Sequence, residues 1–300
     1  MPPIDHFLNR RNNVRLSPSA ITLYQSCQRK FYYVYIKKAE LKPRPALVRG
    51  SISHKVLESF FDYVNLVDLK EGDWEKLRKD FRKVLFTLLE SEWKLIGSEY
   101  PDCFASEREK GELLEETKRF LDFYSAKLAY SVTDKLCELN KNSEWFEDDL
   151  KRFFYPKDRE LRIDLAELNF SGVIDKTMSL FGKGIAIVDY KTSRCSLPHF
   201  IPEDHIKQGK AYAYLWKQHF NELPKHVSFY YMRTGESVYY PISEADVEEI
   251  QADIDEIRSK DTDSISDFPK NVTKMCGYCD FKGLCFKGGK VPNGNTIESN

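Results

Sequence analysis

Two neighbouring apolar runs in the second half of the chain each end in an acidic residue. The run at 185–188 leads into Asp189, and Lys191 follows two positions later. Because side chains alternate along a strand, Asp189 and Lys191 share one face. The carboxylate can bind a hard cation such as Mg²⁺, and the ammonium group can orient a water molecule or stabilise a phosphate. An ion pair at the exit of a strand explains the same residues, so this pair alone leaves both interpretations open.

The preceding apolar run, at 170–174, ends in Asp175, fourteen residues before Asp189. Gly182 and Gly184 lie between the two runs and predict a turn, so that the strands pair as a hairpin and their carboxylates converge. Like charges brought together are unfavourable unless a cation lies between them. Two surface acids beside a turn are the alternative interpretation.

Two further pairs of polar residues have the four-residue spacing that places them on one face of a helix. His54 and Glu58 form one pair, and Gln208 and Tyr212 form the other. An imidazole beside two carboxylates is a suitable third metal ligand, with some preference for Mn²⁺ over Mg²⁺. Taken alone, a helical histidine and a Gln–Tyr pair are typical of ordinary structural or surface positions.

Three cysteines lie within ten residues near the C-terminus, where Cys276, Cys279 and Cys285 form C-x₂-C-x₅-C. The chain has seven cysteines, and this odd number argues against a disulfide framework. Closely spaced thiols predict metal ligation, and a zinc or iron–sulfur site needs a fourth ligand. The spacing alone does not separate zinc from iron–sulfur.

The composition is that of a soluble globular protein, with 300 residues of which 41% are hydrophobic and 31% charged. The net charge is -1, but residues 1–50 carry ten basic and two acidic side chains. This segment suits a phosphate backbone, although a solvated charged face is the plain alternative. No run approaches the roughly 20 apolar residues of a membrane helix, and the N-terminus lacks the apolar region of a signal peptide. We therefore expect a cytoplasmic protein with no membrane segment.

Hydrophobic periodicity predicts the elements that must position these residues. Helices are predicted over 17–36, 51–64, 73–95, 107–130, 202–220 and 243–259. Strands are predicted over 152–155, 161–168, 170–180, 185–190, 227–233 and 237–242. This order indicates an α/β or α+β core that is preceded by a helical insertion.

Taken together, the motifs resemble the RecB-like iron–sulfur branch of the PD-(D/E)XK nuclease superfamily, which includes AddB-type nuclease domains and CRISPR-associated RecB-like exonucleases. The matching residues, in chain order, are Ser17, Ser19, Tyr24, Cys27, Arg29, Lys30 and Phe31; Gly50, His54, Leu57 and Glu58; Gly172, Ile174 and Asp175; Asp189 and Lys191; Gln208 and Tyr212; and the three C-terminal cysteines. The resemblance spans 17–286 except for 65–150. Gln28 departs from it, because the family often has proline after the cysteine.

The resemblance implies an α/β fold, with a restriction-endonuclease-like core of a mixed sheet flanked by helices, a helical insertion and a C-terminal iron–sulfur clasp. The implied segments are N-terminal helices at 1–64, the insertion at 65–150, the nuclease core at 151–270, the cysteine motif at 271–287 and a disordered tail at 288–300.

The resemblance also implies two sites. Mg²⁺ or Mn²⁺ would be held by His54, Asp175, Asp189 and the carbonyl of Tyr190. Lys191 would act on the water or the developing charge, with support from Glu58, Gln208 and Tyr212. A 4Fe–4S cluster, or zinc as the alternative, would be held by Cys27, Cys276, Cys279 and Cys285.

The implied function is metal-dependent DNA cleavage, with exonuclease action on DNA that is single-stranded or has free ends and with a single-stranded 5′ end favoured. The implied settings are DNA repair or recombination, CRISPR adaptation and viral DNA processing. Helicase or CRISPR-adaptation proteins would be the partners, and the nucleoid would be the location. The competing hypothesis is a non-catalytic DNA-binding or zinc-binding interaction subunit with the same fold.

Overall fold

The structure is a computed structural model, and it describes residues 14–41, 43–65, 73–100, 102–140, 142–180, 182–193 and 199–286. The predicted disordered tail at 288–300 lies outside these residues. Within the described part of the chain, no helix is long and apolar enough to cross a membrane.

The helices are α1 (Pro18–Ser26), α2 (Gln28–Phe31), α3 (Pro45–Tyr63), α4 (Trp74–Glu99), α5 (Glu107–Glu138), α6 (Phe146–Phe154), α7 (Glu203–Phe220), α8 (Glu244–Ser259) and α9 (Lys282–Cys285). The strands are β1 (Asp158–Leu165), β2 (Phe170–Ser179), β3 (Ile185–Lys191), β4 (His226–Tyr231) and β5 (Glu236–Pro241).

The five strands form one mixed sheet in the order β1-β2-β3-β4-β5. All neighbours are antiparallel except β3 and β4, which run parallel and are connected through α7. A parallel pair needs such a crossover, and a helix is its usual form. The predicted mixed sheet flanked by helices is therefore confirmed.

The two faces of the sheet carry different helices. On one face α1, α7 and α8 bury a core that includes Tyr24, Phe170 and Trp216. On the other face α3, α4 and α5 pack around Phe60 and Tyr190. The predicted insertion is thus helical and shares a core with α3, while the division of the chain into segments stays a prediction.

Several predicted elements differ from the structure. The helix predicted over 107–130 continues to Glu138, and the strand predicted over 161–168 is Asp158–Leu165. The helix predicted over 17–36 is interrupted at Cys27, whose φ of -163° and ψ of 107° are extended, and a π-helical turn follows at Tyr32–Ile36. The helix predicted from 51 begins at Pro45, because proline fits the first helical turn. The strand predicted over 152–155 was wrong, since most of it belongs to α6, where Phe146 and Leu150 are buried at four-residue spacing.

Replacing Gly209 with alanine will destabilise the fold. A Cβ atom at this position of α7 would lie 2.8 Å from Cζ of Phe229 and 3.3 Å from Cγ1 of Val227. Overpacking of this kind costs about 1–3 kcal/mol in the free energy of unfolding, which urea denaturation measures. Gly111→Ala in α5 is the matched control. Nothing lies within 4 Å of its added Cβ, so a gain of about 0.5–1 kcal/mol is expected. Equal stabilities of the two variants would contradict the packing argument.

Candidate functional site

An imidazole, a carboxylate and a main-chain carbonyl meet where α3 crosses the ends of β2 and β3. Nδ1 of His54 lies 3.1 Å from Oδ1 of Asp175, and its Nε2 lies 2.9 Å from the carbonyl oxygen of Tyr190. The other carboxylate oxygen of Asp175 accepts a hydrogen bond of 2.8 Å from the Tyr190 N–H. Three of the predicted metal ligands are therefore brought together.

Glu160 joins this group, although sequence reasoning missed it. Ligand atoms of His54, Glu160 and Asp175 all lie within 4.8 Å of one another, and within the described chain this is the one such group of three. Glu160 stands across from Asp175, between the β1–β2 pairs Arg159–Lys176 and Leu161–Ile174. Its φ of 44° is left-handed, a conformation that costs a non-glycine residue energy and that occurs often at functional sites.

Asp189 and Lys191 share one face, as strand alternation predicts, and they begin a polar chain that extends to α7. Nζ of Lys191 lies 2.5 Å from Oδ2 of Asp189 and donates to Oε1 of Gln208, also at 2.5 Å. Gln208 in turn donates to the hydroxyl of Tyr212 at 3.3 Å. Gln208 and Tyr212 therefore hold Lys191 in position.

Glu58 lies at the edge of this site. It lines the small cavity beside His54 and Glu160. One oxygen of its carboxylate, Oε2, accepts a hydrogen bond of 2.7 Å from Lys55. Its position fits the predicted role, which is to support the metal ligands from the edge of the site.

The electrostatics of the site favour a bound cation. Burial would lower the pKa of His54, but the hydrogen bond and charge of Asp175, with the charge of Asp189, outweigh it and raise the pKa to about 9. Burial and the neighbouring Asp175 raise the pKa of Glu160 to about 6. Burial also raises the pKa of Asp189, despite the ammonium group of Lys191. Because of these raised pKa values, the imidazole and the two carboxylates retain protons that a divalent ion would displace. The imidazole and oxygen donors suit Mg²⁺ or Mn²⁺.

A model of the PD-(D/E)XK nuclease superfamily matches residues 15–286. This chain belongs to the PD-(D/E)XK nuclease superfamily. Membership implies a nuclease hydrolase that uses a divalent metal such as Mg²⁺ or Mn²⁺, and the donor set of His54, Glu160 and Asp175 fits such an ion. The mixed sheet agrees with the restriction-endonuclease-like fold. Membership of the RecB-like iron–sulfur branch stays a prediction. No curated protein matches the chain.

Binding of Mn²⁺ to this nuclease will strengthen as the pH rises. Because the pKa of His54 is raised to about 9, below that pH a metal ion must displace the imidazole proton, and near about pH 6 it also competes with the proton on Glu160. The logarithm of the affinity should rise by about one per pH unit between these values. Calorimetric titration in buffers of different ionisation enthalpy will measure the proton released.

The His54→Gln variant is the control for this titration. It will bind Mn²⁺ more weakly, and it will lose the pH dependence above about pH 7 that the imidazole causes. Affinity that does not change with pH in the unaltered protein would contradict the assignment of His54 as a ligand.

The cysteine motif of the nuclease lies against α1 and α2. Burial raises the pKa of Cys285, and the nearby thiols of Cys279 and Cys27 raise it further. The side chain of Asn271 donates to the carbonyl of Ser26 at 2.9 Å, which ties the C-terminal segment to the end of α1. Three of the four predicted cluster ligands thus lie near enough for their charges to interact, but within the described chain no three of the thiols lie within 4.8 Å of one another.

The fourth cysteine, Cys276, lies in the same segment. Its Sγ accepts a hydrogen bond of 3.4 Å from the N–H of Thr273 and lies 3.6 Å from the carbonyl oxygen of Asn271.

Much of the predicted basic surface at the N-terminus is bonded within the nuclease. Arg15 pairs with Asp164 and Arg44 with Asp280, each at 2.6 Å. Two further arginines are also engaged: Arg29 donates to the carbonyl of Phe268, and Arg49 pairs with Glu116. Residues 1–13, which hold the remaining arginines of this segment, lie outside the described chain.

Proposed function

We propose that this chain is a metal-dependent deoxyribonuclease whose ion is held by His54, Glu160, Asp175 and the carbonyl of Tyr190. The observation that carries the proposal is the convergence of the ligand atoms of His54, Glu160 and Asp175 within 4.8 Å. Asp189 lies in the same buried cluster, where its charge acts on His54, and would complete the ligand set. A bound ion would polarise the scissile phosphate and lower the pKa of the attacking water.

Lys191 is the proposed catalytic residue beside this ion. Its ammonium group is fixed between Oδ2 of Asp189 and Oε1 of Gln208, so it can orient the water or stabilise negative charge on the phosphate without reorganising. Tyr212 holds Gln208 from the next turn of α7. Glu58 contributes charge, since it raises the pKa of Glu160 together with burial and Asp175.

The proposed substrate is DNA that is single-stranded or has free ends, cut exonucleolytically with a single-stranded 5′ end favoured. The resemblance of the six motifs to the RecB-like branch supports this specificity. It also supports action in DNA repair or recombination, CRISPR adaptation or viral DNA processing, beside helicase or CRISPR-adaptation proteins and at the nucleoid. A non-catalytic DNA-binding subunit would not need the intact set of Asp175, Asp189 and Lys191.

A 4Fe–4S cluster with a structural role is proposed at Cys27, Cys276, Cys279 and Cys285, with zinc as the alternative metal. The proximity of the thiols of Cys27, Cys279 and Cys285 supports it. The four-thiolate set is typical of both metals. None of the hydrolytic chemistry proposed above needs a redox centre.

The test is cleavage of end-labelled single-stranded and double-stranded DNA with Mg²⁺, with Mn²⁺ and with EDTA. Cleavage is expected with either ion and none with EDTA, and terminal nucleotides should be the first products. Asp175→Asn should abolish cleavage, whereas Asp164→Asn, which removes an exposed partner of Arg15, should not. Equal cleavage by the two variants, or cleavage in EDTA, would refute the proposed metal centre.

A further inference from the structure

A groove runs over the face of the sheet that meets α5. Its volume is about 500 Å³, and its floor is formed by side chains of β2, β3, β4 and β5, with α5 as one wall. At the hairpin between β2 and β3 it meets a second depression that is lined by Leu180, Gly182, Lys183 and Lys225. Leu180 lines both, so the two form one continuous surface, which we call the sheet groove.

The sheet groove is electropositive. Lys127, Lys176 and His226 line its main part and Lys183 and Lys225 its end, while no aspartate or glutamate lines either part. Four of these five residues are lysines, and none of the four forms an ion pair with a described residue. Burial lowers the pKa of Lys176 to about 8, and it also lowers the pKa of His226, whose imidazole is therefore neutral at pH 7. Lysines that form no ion pair suit a polyanionic ligand, although Glu222 approaches Lys225 at the end of the groove beside Gly184.

Tyrosine side chains lie among these cations. Tyr239 is 62% exposed and its ring meets that of His226 edge-on at 5.1 Å, so one face is available for stacking. Tyr230 is 9% exposed, and its hydroxyl is buried without a hydrogen-bond partner in the described chain. Rings beside cations are the surface that binds unpaired bases and their phosphates.

The sheet groove leads to the proposed metal centre. Lys176 and Tyr190 line both the groove and the small cavity that contains His54, Glu160 and Asp175. From Lys176 to Leu180 the groove follows β2 for about 13 Å, at about 3.3 Å per residue. The groove therefore ends beside the metal centre, with Lys176 and Tyr190 as the residues between the two.

We infer that the sheet groove binds a segment of single-stranded nucleic acid adjacent to the bond that is cut. Its cations contact phosphates and Tyr239 stacks on a base. The inference rests on the proposed function, which identifies the metal centre beside the groove as the place where the bond is cut. The groove itself is a separate binding surface, made of residues outside the metal centre apart from Lys176 and Tyr190.

The experiment measures binding of a fluorescein-labelled 12-nucleotide oligothymidylate to the full chain in EDTA, by fluorescence anisotropy over a series of salt concentrations. Tyr239→Ala should weaken binding about tenfold, because one stacking contact is lost. The double variant Lys127→Gln, Lys225→Gln should weaken binding and reduce the slope of log affinity against log salt by about 1.4, at about 0.7 for each phosphate contact.

Matched controls test whether these effects belong to the groove. Tyr63→Ala removes a tyrosine that is 68% exposed and does not line the groove. The double variant Lys76→Gln, Lys83→Gln removes two exposed lysines of α4. Both controls should bind within twofold of the unaltered protein and with the same salt slope. Thermal unfolding of every variant verifies that it is folded.

Three results would overturn the inference: groove variants that bind like the controls, an unaltered protein that does not bind the oligonucleotide, or binding of duplex DNA alone with no effect of the groove variants. The failure of the proposed function is distinct from these results. It would appear as absence of cleavage with Mg²⁺ and Mn²⁺ while groove-dependent binding in EDTA persists.

Discussion

The Lys191→Met variant will lose metal-dependent cleavage and keep both its fold and its affinity for Mn²⁺. The ammonium group lies 2.5 Å from Oδ2 of Asp189 and 2.5 Å from Oε1 of Gln208, so its position is set before any substrate arrives. Removing one preorganised group that stabilises developing charge lowers kcat by about 10²- to 10³-fold. Initial rates on end-labelled single-stranded DNA at saturating Mn²⁺ will measure this loss.

Metal binding should survive because Lys191 is not a ligand. The substitution removes a positive charge that repels the ion. It also removes the ammonium group that lowers the pKa of Asp189, so that carboxylate holds its proton more strongly. Asp175→Asn should behave in the opposite way, because it removes an oxygen donor from the group formed with His54 and Glu160, and Mn²⁺ affinity should fall. Calorimetry on the two variants therefore separates a metal ligand from a residue that acts on the reaction.

The control for this substitution is Lys79→Met. Lys79 is 69% exposed on α4, and its closest carboxylate is that of Glu75 at 4.0 Å. The same change of side chain should leave kcat unaltered there. If Lys191→Met cleaved DNA within a few-fold of the unaltered protein, the catalytic role given to this lysine would be wrong.

The positions of Asp175, Asp189 and Lys191 could be predicted because the relations between them are local. Asp189 and Lys191 share a face through strand alternation alone. Gly182 and Gly184, which both have positive φ, make the turn that pairs β2 with β3 in antiparallel register. A short hairpin leaves few alternative registers, so the sequence determines which residues meet.

Glu160 could not be predicted, because its place depends on long-range structure. It approaches His54 only through the pairing of β1 with β2 and the packing of α3 across both strands. Its backbone is left-handed, with a φ of 44°, and the alternating pattern of a strand does not predict such a conformation. The one sequence signal was an acidic residue directly before the strand predicted over 161–168, and on its own that signal is typical of any strand entry.

Misassigned elements have a similar cause. Three of the four residues at 152–155 are aromatic and favour strands, but burial of Phe146 and Leu150 on one face makes the segment a helix. At Cys27 the helical periodicity continues without a break in sequence, although the backbone there is extended. Tertiary contacts decide both cases. Cys27 is the residue between α1 and α2. Next to it, Arg29 donates hydrogen bonds to the carbonyls of Phe268 and Pro269 in the C-terminal segment.

The Cys27→Ser variant will lose the proposed metal cluster and a large part of its stability. Cys27 and Cys276 are separated by about 250 residues, and a bond between such distant positions removes roughly 5 kcal/mol of loop-closure entropy from the unfolded chain. Several hydrogen bonds between the C-terminal segment and residues 26–44 remain in the variant, among them those of Asn271 to Ser26, of Arg29 to Phe268 and of Arg44 to Asp280, so the loss has an upper limit. We expect the free energy of unfolding to fall by up to about 5 kcal/mol. Anaerobic purification with iron, sulfide and zinc analysis, absorbance near 400 nm and urea denaturation will measure these changes.

Cys137→Ser supplies the matched control, since Cys137 is an exposed free cysteine on α5. It should retain the cluster and the stability of the unaltered protein, because an exposed thiol far from the motif closes no loop. Stoichiometric zinc without iron would refute the iron–sulfur assignment. The predicted stabilisation would stand, because it depends on the bond between Cys27 and the C-terminal cysteines and not on the kind of metal. The prediction would be wrong if the Cys27→Ser protein were as stable as the control and its metal content were unchanged. Cys27 would then not be a ligand, and hydrogen bonds and packing alone would hold the C-terminal segment on α1 and α2.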